Sequence, residues 1–136
     1  MIVDASVAVK WLVEENLSKA ATRLATRNDL VAPDILDLEV AQALTRKVRQ
    51  RNLQQSVAEE LWVDFAKATI QRVAWQGHAQ AALALSFRLR ATFVDCLYLA
   101  IAIDLDDTIV TADERFVRAV RTAPSLQKHI ASLAEL

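Results

Sequence analysis

Two short apolar runs in this chain stop at a carboxylate. Ile2-Val3 ends at Asp4, with the Ser6 hydroxyl two residues further on. Thr108-Ile109-Val110-Thr111 ends at Ala112-Asp113, with the Thr111 hydroxyl two residues before the acid. Asp95 is the one charge near the start of an otherwise apolar stretch from Thr92 to Asp104. A fourth acid comes from residues 33–50, where Glu39 and Asp37 border opposite edges of an apolar stripe and periodicity does not choose between them. Carboxylates gathered at one rim repel one another and raise each other's pKa. A divalent cation removes that conflict by adding positive charge and taking oxygen ligands. All-oxygen ligation favours Mg²⁺, with Mn²⁺ as the alternative, over zinc. Such an ion activates water, polarises a phosphoryl oxygen and steadies a leaving oxyanion, which is the chemistry of phosphodiester hydrolysis.

Each of these acids also has a purely structural reading. Asp4 can form an Asx turn or cap the next helix, and Ser6 can serve as that cap. Thr92 and Asp95 have capping-box spacing. Asp113 is a natural N-cap, and Glu39 can be a solvated helix residue. What separates the readings is whether these positions share one rim.

The elements that must position them follow from pattern. Ile2-Val3 lacks polar alternation and reads as a central strand. Helices are predicted over 7–13 and 17–28, with a brief strand at Leu30-Val31-Ala32 between the second and the next. Pro33 suits the first turn of a helix running to Gln50, whose stripe is Leu36, Val40, Ala43, Leu44 and Val48. A helix over 54–69 points Val57, Leu61, Trp62, Phe65 and Ala68 inward, and 71–75 alternate as a strand. Helices follow over 78–90 and 92–104, the latter apolar on every face and therefore buried. Residues 108–111 are a strand, 114–121 a short helix, Pro124 a break, and 129–133 either an edge strand or a helix. Short strands alternating with helices, with no linker or repeat, imply an α/β fold of one domain over 1–136. Its mostly parallel central sheet is flanked by helices.

Bulk properties narrow the function. The chain has 136 residues, enough for one core, and 54% of them are hydrophobic, which suggests apolar surface left for a partner. A formal net charge of −1 gives no global pull toward nucleic acid, so phosphate contacts must come from local clusters. The single glycine, Gly77, excludes Gly-rich phosphate loops. No Cys/His cluster has zinc spacing, and His78 and His129 stand in no recognisable triad setting. One cysteine, Cys96, forms no internal disulfide, no run reaches membrane-spanning length, and no secretory signal precedes the first strand; a cytoplasmic location is expected. Trp11, Trp62 and Trp75 could stack on bases, but their spacing points to core or partner interface.

Together, Ile2-Val3-Asp4-Ala5-Ser6, Pro33 through Glu39 to Ala43-Leu44, the run from Asp95 to Ala102 and the run from Ile109 to Phe116 resemble the PIN-domain ribonucleases, specifically the VapC-type toxins of toxin–antitoxin pairs. The resemblance implies that Asp4, Glu39, Asp95 and Asp113 are the catalytic acids and metal ligands, which prefers Glu39 over Asp37. It implies that Ser6 and Thr111 orient those carboxylates and water. It further implies RNA hydrolysis with Mg²⁺, with tRNA among the substrates, together with an antitoxin partner and a homodimer. Gln42 and Asn52 depart from the family pattern, where asparagine and glycine are common. Local cations available to RNA are Arg46, Lys47, Arg49 and Arg51, then Arg88 and Arg90, then Arg115, Arg118 and Arg121. Two competing readings remain: a phospho-acceptor receiver domain, for which Lys128 is the only late lysine, and a non-catalytic binding module.

Overall fold

The strands lie side by side in the order β3-β2-β1-β4-β5, all parallel, in a computed structural model that describes residues 1–136. They are β1 (Ile2–Val3), β2 (Leu30–Pro33), β3 (Ile70–Val73), β4 (Ile109–Thr111) and β5 (Ile130–Ser132). Ile2 pairs with Val31 on one side and Ile109 on the other, so β1 is central, and both its residues are fully buried. That burial on both faces is why the run shows no polar alternation. β5 resolves the open question at 129–133: Ile130, Val110's partner Ala131 and Ser132 pair in register with β4 as an edge strand.

The helices are α1 (Ala5–Leu12), α2 (Ser18–Leu24), α3 (Leu36–Arg49), α4 (Gln55–Phe65), α5 (Ala79–Leu89), α6 (Phe93–Asp104) and α7 (Glu114–Arg121). α6 is buried from Cys96 through Ala102, as its unbroken apolar sequence requires. Thr92 caps it, its hydroxyl accepting the Asp95 N–H at 3.1 Å. α3 buries Leu36, Val40 and Leu44. It ends in a left-handed Arg51 (φ 59°), with the Asn52 N–H returning to the Lys47 carbonyl at 2.9 Å.

Several expectations are corrected. Pro33 closes β2 rather than opening α3: it pairs with Val73, and the Asp34 N–H donates to the Val73 carbonyl at 2.8 Å. Pro33 is the last paired residue of the strand and lies beyond the end of β1, where a missing ladder N–H is tolerated. α2 is shorter than 17–28: Leu17, with a left-handed φ of 68°, stands just before it, and it ends at Leu24, after which the Ala25 and Arg27 N–H groups close tighter turns onto the Thr22 and Leu24 carbonyls. β3 starts one residue earlier and ends before Trp75, which belongs to a 3₁₀ turn packed edge-on against Phe93. Trp11 also stays inside the fold, donating to the Ala21 carbonyl at 2.7 Å. On α4 only Phe65 is buried, while Trp62 and Val57 lie on the open face. No helix is long and apolar enough to cross a membrane.

Candidate active site

In a parallel sheet every strand ends on the same side, and helices depart from that edge. Asp4 follows β1 and Asp113 follows the adjacent β4, so strand order alone makes them neighbours. α6 packs across β1 and β2 and brings its first turn, with Asp95, to the same edge. α3 leaves β2 there and contributes Glu39. These four carboxylates are close enough to repel one another: Asp4 and Asp113, Glu39 with Asp4 and Asp95, and Asp95 with Asp4 and Asp113. The acids therefore form a row, with Glu39 at one end, Asp113 at the other, and Asp4 and Asp95 between.

Asp4 is the most enclosed, only 7% exposed. Ser6 Oγ donates to its Oδ2 at 2.6 Å and Thr111 Oγ1 donates to the same oxygen at 2.7 Å. Burial raises its pKa against those hydrogen bonds. Ser6 is thus not a helix cap; it lies inside the first turn of α1, and its hydroxyl also accepts the Ala112 N–H at 3.1 Å. Thr111 Oγ1 accepts the Asp113 N–H at 3.1 Å. The two hydroxyls tie the ends of β1 and β4 to a single carboxylate.

Burial, followed by the charges of Asp4 and Asp95, lifts Glu39 to about 7. Burial and then Asp4 lift Asp95 to about 6. Asp113 is exposed and caps α7, its Oδ1 accepting the Arg115 and Phe116 N–H groups at 3.0 and 3.2 Å, which leaves Oδ2 without a protein partner. Asp37 faces elsewhere, paired with Arg72 at 2.9 Å. No three acidic, imidazole or thiol side chains close on one point as a finished metal cage. The donor set nevertheless fits a hard cation: its ligating atoms are oxygens, and three of its members are held toward the protonated form by burial and each other's charge. Cys96, next to Asp95 in sequence, is pushed up to about 11 by burial and that neighbour and stays a neutral thiol.

Grooves flank the row. One of about 500 Å³ runs from Ser6 and Glu39 past Gln42 to Lys10, Arg46 and Lys47. Another of about 350 Å³ runs from Asp95 and Asp113 to Arg90 and Arg115. Arg49 lies further out along α3, while Arg88 is exposed on α5 and lines neither groove. Arg121 is held by Glu135 at 2.7 and 2.9 Å.

One residue escaped sequence reasoning. Tyr98 is fully buried, and its hydroxyl donates to Glu39 Oε1 at 2.6 Å. An apolar-run reading counts tyrosine as filler; the available signal was its place three residues after Asp95, on the same helix face. Burial and the surrounding carboxylates push its pKa up, so it remains a donor. Tyr98→Phe should cost roughly 1.5–3 kcal/mol in a urea melt, the range for a hydrogen bond to a charged group. It should also move the acid limb of any activity profile to higher pH, because Glu39 loses a bond that favours its ionised form. An unmoved pH profile would mean that the bond is only structural.

Fold and rim together define a parallel α/β protein with a carboxylate-lined site at its strand ends. The PIN domain family model matches residues 1–121, and the chain belongs to that family. It is similar to Ribonuclease VapC1 of Mycobacterium tuberculosis, from strains CDC 1551 / Oshkosh and ATCC 25618 / H37Rv. Each is 30% identical over 126 residues, covering 87% of this chain and 89% of the relative.

Proposed function

We propose that this chain, read as one PIN domain over 1–136, is a metal-dependent endoribonuclease and the toxin of a toxin–antitoxin pair. It hydrolyses RNA phosphodiester bonds in the cytoplasm, with tRNA among its candidate substrates. The carrying observation is the row Glu39, Asp4, Asp95, Asp113 at the strand ends, three of whose members resist ionisation because of burial and one another. Asp4 and Asp95 are the firmest ligands for Mg²⁺ or Mn²⁺, with Asp113 and Glu39 at the flanks. Bound there, the ion supplies water activation and charge stabilisation at the phosphoryl group. Ser6 and Thr111 hold Asp4 in place, Tyr98 holds Glu39, and Glu39 orients or deprotonates the attacking water. Arg46 on one side and Arg90 and Arg115 on the other supply cations for the RNA backbone. The similarity to a protein named as a ribonuclease supports the same reading.

The exposed apolar side chains, Leu38, Val63 and Phe87 among them, give an antitoxin or a second copy of the chain surface to cover. The receiver reading loses its lysine: Lys128 binds Asp106 at 2.7 Å in the turn before β4, at the opposite end of that strand from Asp113. Purified protein should cleave labelled RNA with Mg²⁺, stop with EDTA and resume when Mg²⁺ is restored. Expression without the antitoxin should arrest growth. Cleavage that persists in EDTA would overturn the metal assignment, and a folded, Mg²⁺-binding protein that leaves every RNA intact would favour the binding module.

A further inference from the structure

The groove beside Glu39 holds an arrangement that the acid row does not use. Glu15 stands between two lysines: Oε2 accepts from Lys10 Nζ at 3.1 Å, and Oε1 accepts from Lys47 Nζ. Lys10 is on α1 and Lys47 on α3, so the carboxylate bridges the two helices from the segment that joins α1 to α2. That segment is fixed. The Glu15 N–H donates to Ser18 Oγ at 2.8 Å, Ser18 is buried, and Leu17 is held in the left-handed region. Both lysines are largely withdrawn from water, at 12% and 22% side-chain exposure.

Cations this enclosed need an anionic partner. Glu15 supplies one negative charge for two ammoniums, and Arg46 lines the same groove without an ion pair. Gln42 and Gln50 add hydrogen-bond donors to the lining. The groove thus keeps an excess of positive charge and donors next to Glu39. A phosphodiester resembles the Glu15 carboxylate in the respect that matters: two equivalent anionic oxygens, each able to take one ammonium.

We propose that Lys10 and Lys47 form a backbone-phosphate subsite for the RNA strand, one step from the acid row, and that Glu15 occupies it as an internal stand-in that the substrate phosphate displaces. The inference rests on the ribonuclease reading and extends it. Glu15 is a competitor for its own lysines, so removing its charge should help the substrate. A purely structural staple predicts the reverse.

The test is binding of a short labelled single-stranded RNA to the full chain in EDTA, across a salt series. Lys10→Gln and Lys47→Gln should each weaken binding roughly three- to tenfold at low salt, and each should lower the log–log salt slope by ~0.7. Lys47→Arg should retain the slope. Glu15→Gln should tighten binding about threefold, and in Mg²⁺ should lower KM with kcat held. Unchanged or weakened binding by folded Glu15→Gln would overturn the stand-in. Should that variant fail to fold, unchanged salt slopes in both lysine variants would overturn the subsite, and reduced slopes would support it. Wild-type protein that cleaves RNA while all variants bind alike removes this inference alone. Wild-type protein that neither binds nor cleaves RNA removes the ribonuclease reading and this inference with it.

Discussion

Asp4→Asn should reduce RNA cleavage by on the order of a thousandfold or more, and in metal-free buffer near pH 8 it should melt no lower than the parent chain. The two halves of this expectation have one cause. Asp4 is the most buried acid of the row and the one nearest its middle, repelled by Asp113 and repelling Glu39 and Asp95. Its ionised form is costly to the fold and useful only to a cation. Asparagine keeps the shape and still offers a carbonyl to the Ser6 and Thr111 hydroxyls, which rotate to suit. What disappears is the charge, and with it both the repulsion and the anchor for the metal that the proposed function assigns to Asp4. The comparison that isolates this is Asp37→Asn. Asp37 sits two residues from Glu39 but answers Arg72, so that variant should cleave at close to the parental rate. Single-turnover cleavage in Mg²⁺ and melting in EDTA decide the matter. An Asp4→Asn enzyme within tenfold of the parent would remove Asp4 from the metal site.

The same residues show what could be read along the chain and what could not. Ile2-Val3 and Thr92–Asp104 declare themselves because burial on all sides leaves no polar position to interrupt them. Asp4 and Asp113 are visible as acids at strand ends, and parallel pairing of β1 with β4 then makes them neighbours. Pro33 misleads because a fixed φ serves a strand end as well as a first helical turn; the choice was made by Val73, far along the chain. The segment 129–133 was undecidable because three paired residues are too few to distinguish a period of 2 from one of 3.6. Periodicity points Val57 and Trp62 inward because α4 carries apolar residues on more than one face, and only packing selects the buried one. Contacts such as Tyr98 with Glu39, or Glu15 with Lys47, join residues that no local pattern links. They are properties of the assembled edge. For that reason the acids at the strand ends, the Ser6 and Thr111 hydroxyls beside them and the flanking cations are legible in the chain, whereas the Tyr98 and Glu15 contacts are not.

Without metal, the fold should be more stable at pH 5 than at pH 8. Glu39 rises from an ordinary 4.5 to about 7 and Asp95 from 3.8 to about 6 on folding, and Asp4 rises as well. In the unfolded chain these groups release their protons near pH 4; in the folded chain they keep them until about pH 6–7. Over that window the folded state binds more protons than the unfolded state, so the free energy of unfolding falls as pH rises. Groups shifted the other way, such as Asp107 with the Met1 amine and Glu15 with its lysines, lose their contribution only below about pH 4.5 and do not oppose the trend above it. Glu39 and Asp95 keep partial contact with water, and screening cuts the effect to roughly 1–2 kcal/mol, or about 5 °C in Tm. Mg²⁺ should reverse the order of benefit. At pH 8 it meets ionised ligands, whereas at pH 5 it must displace protons, so its stabilisation should be the larger at pH 8. Scanning calorimetry at both pH values, with EDTA and with saturating Mg²⁺, measures all four corners, and Glu39→Gln should flatten the metal-free difference. A metal-free Tm that holds level or climbs from pH 5 to pH 8 would show that these carboxylates do not crowd one another, and the argument for a cation between them would lose its physical basis.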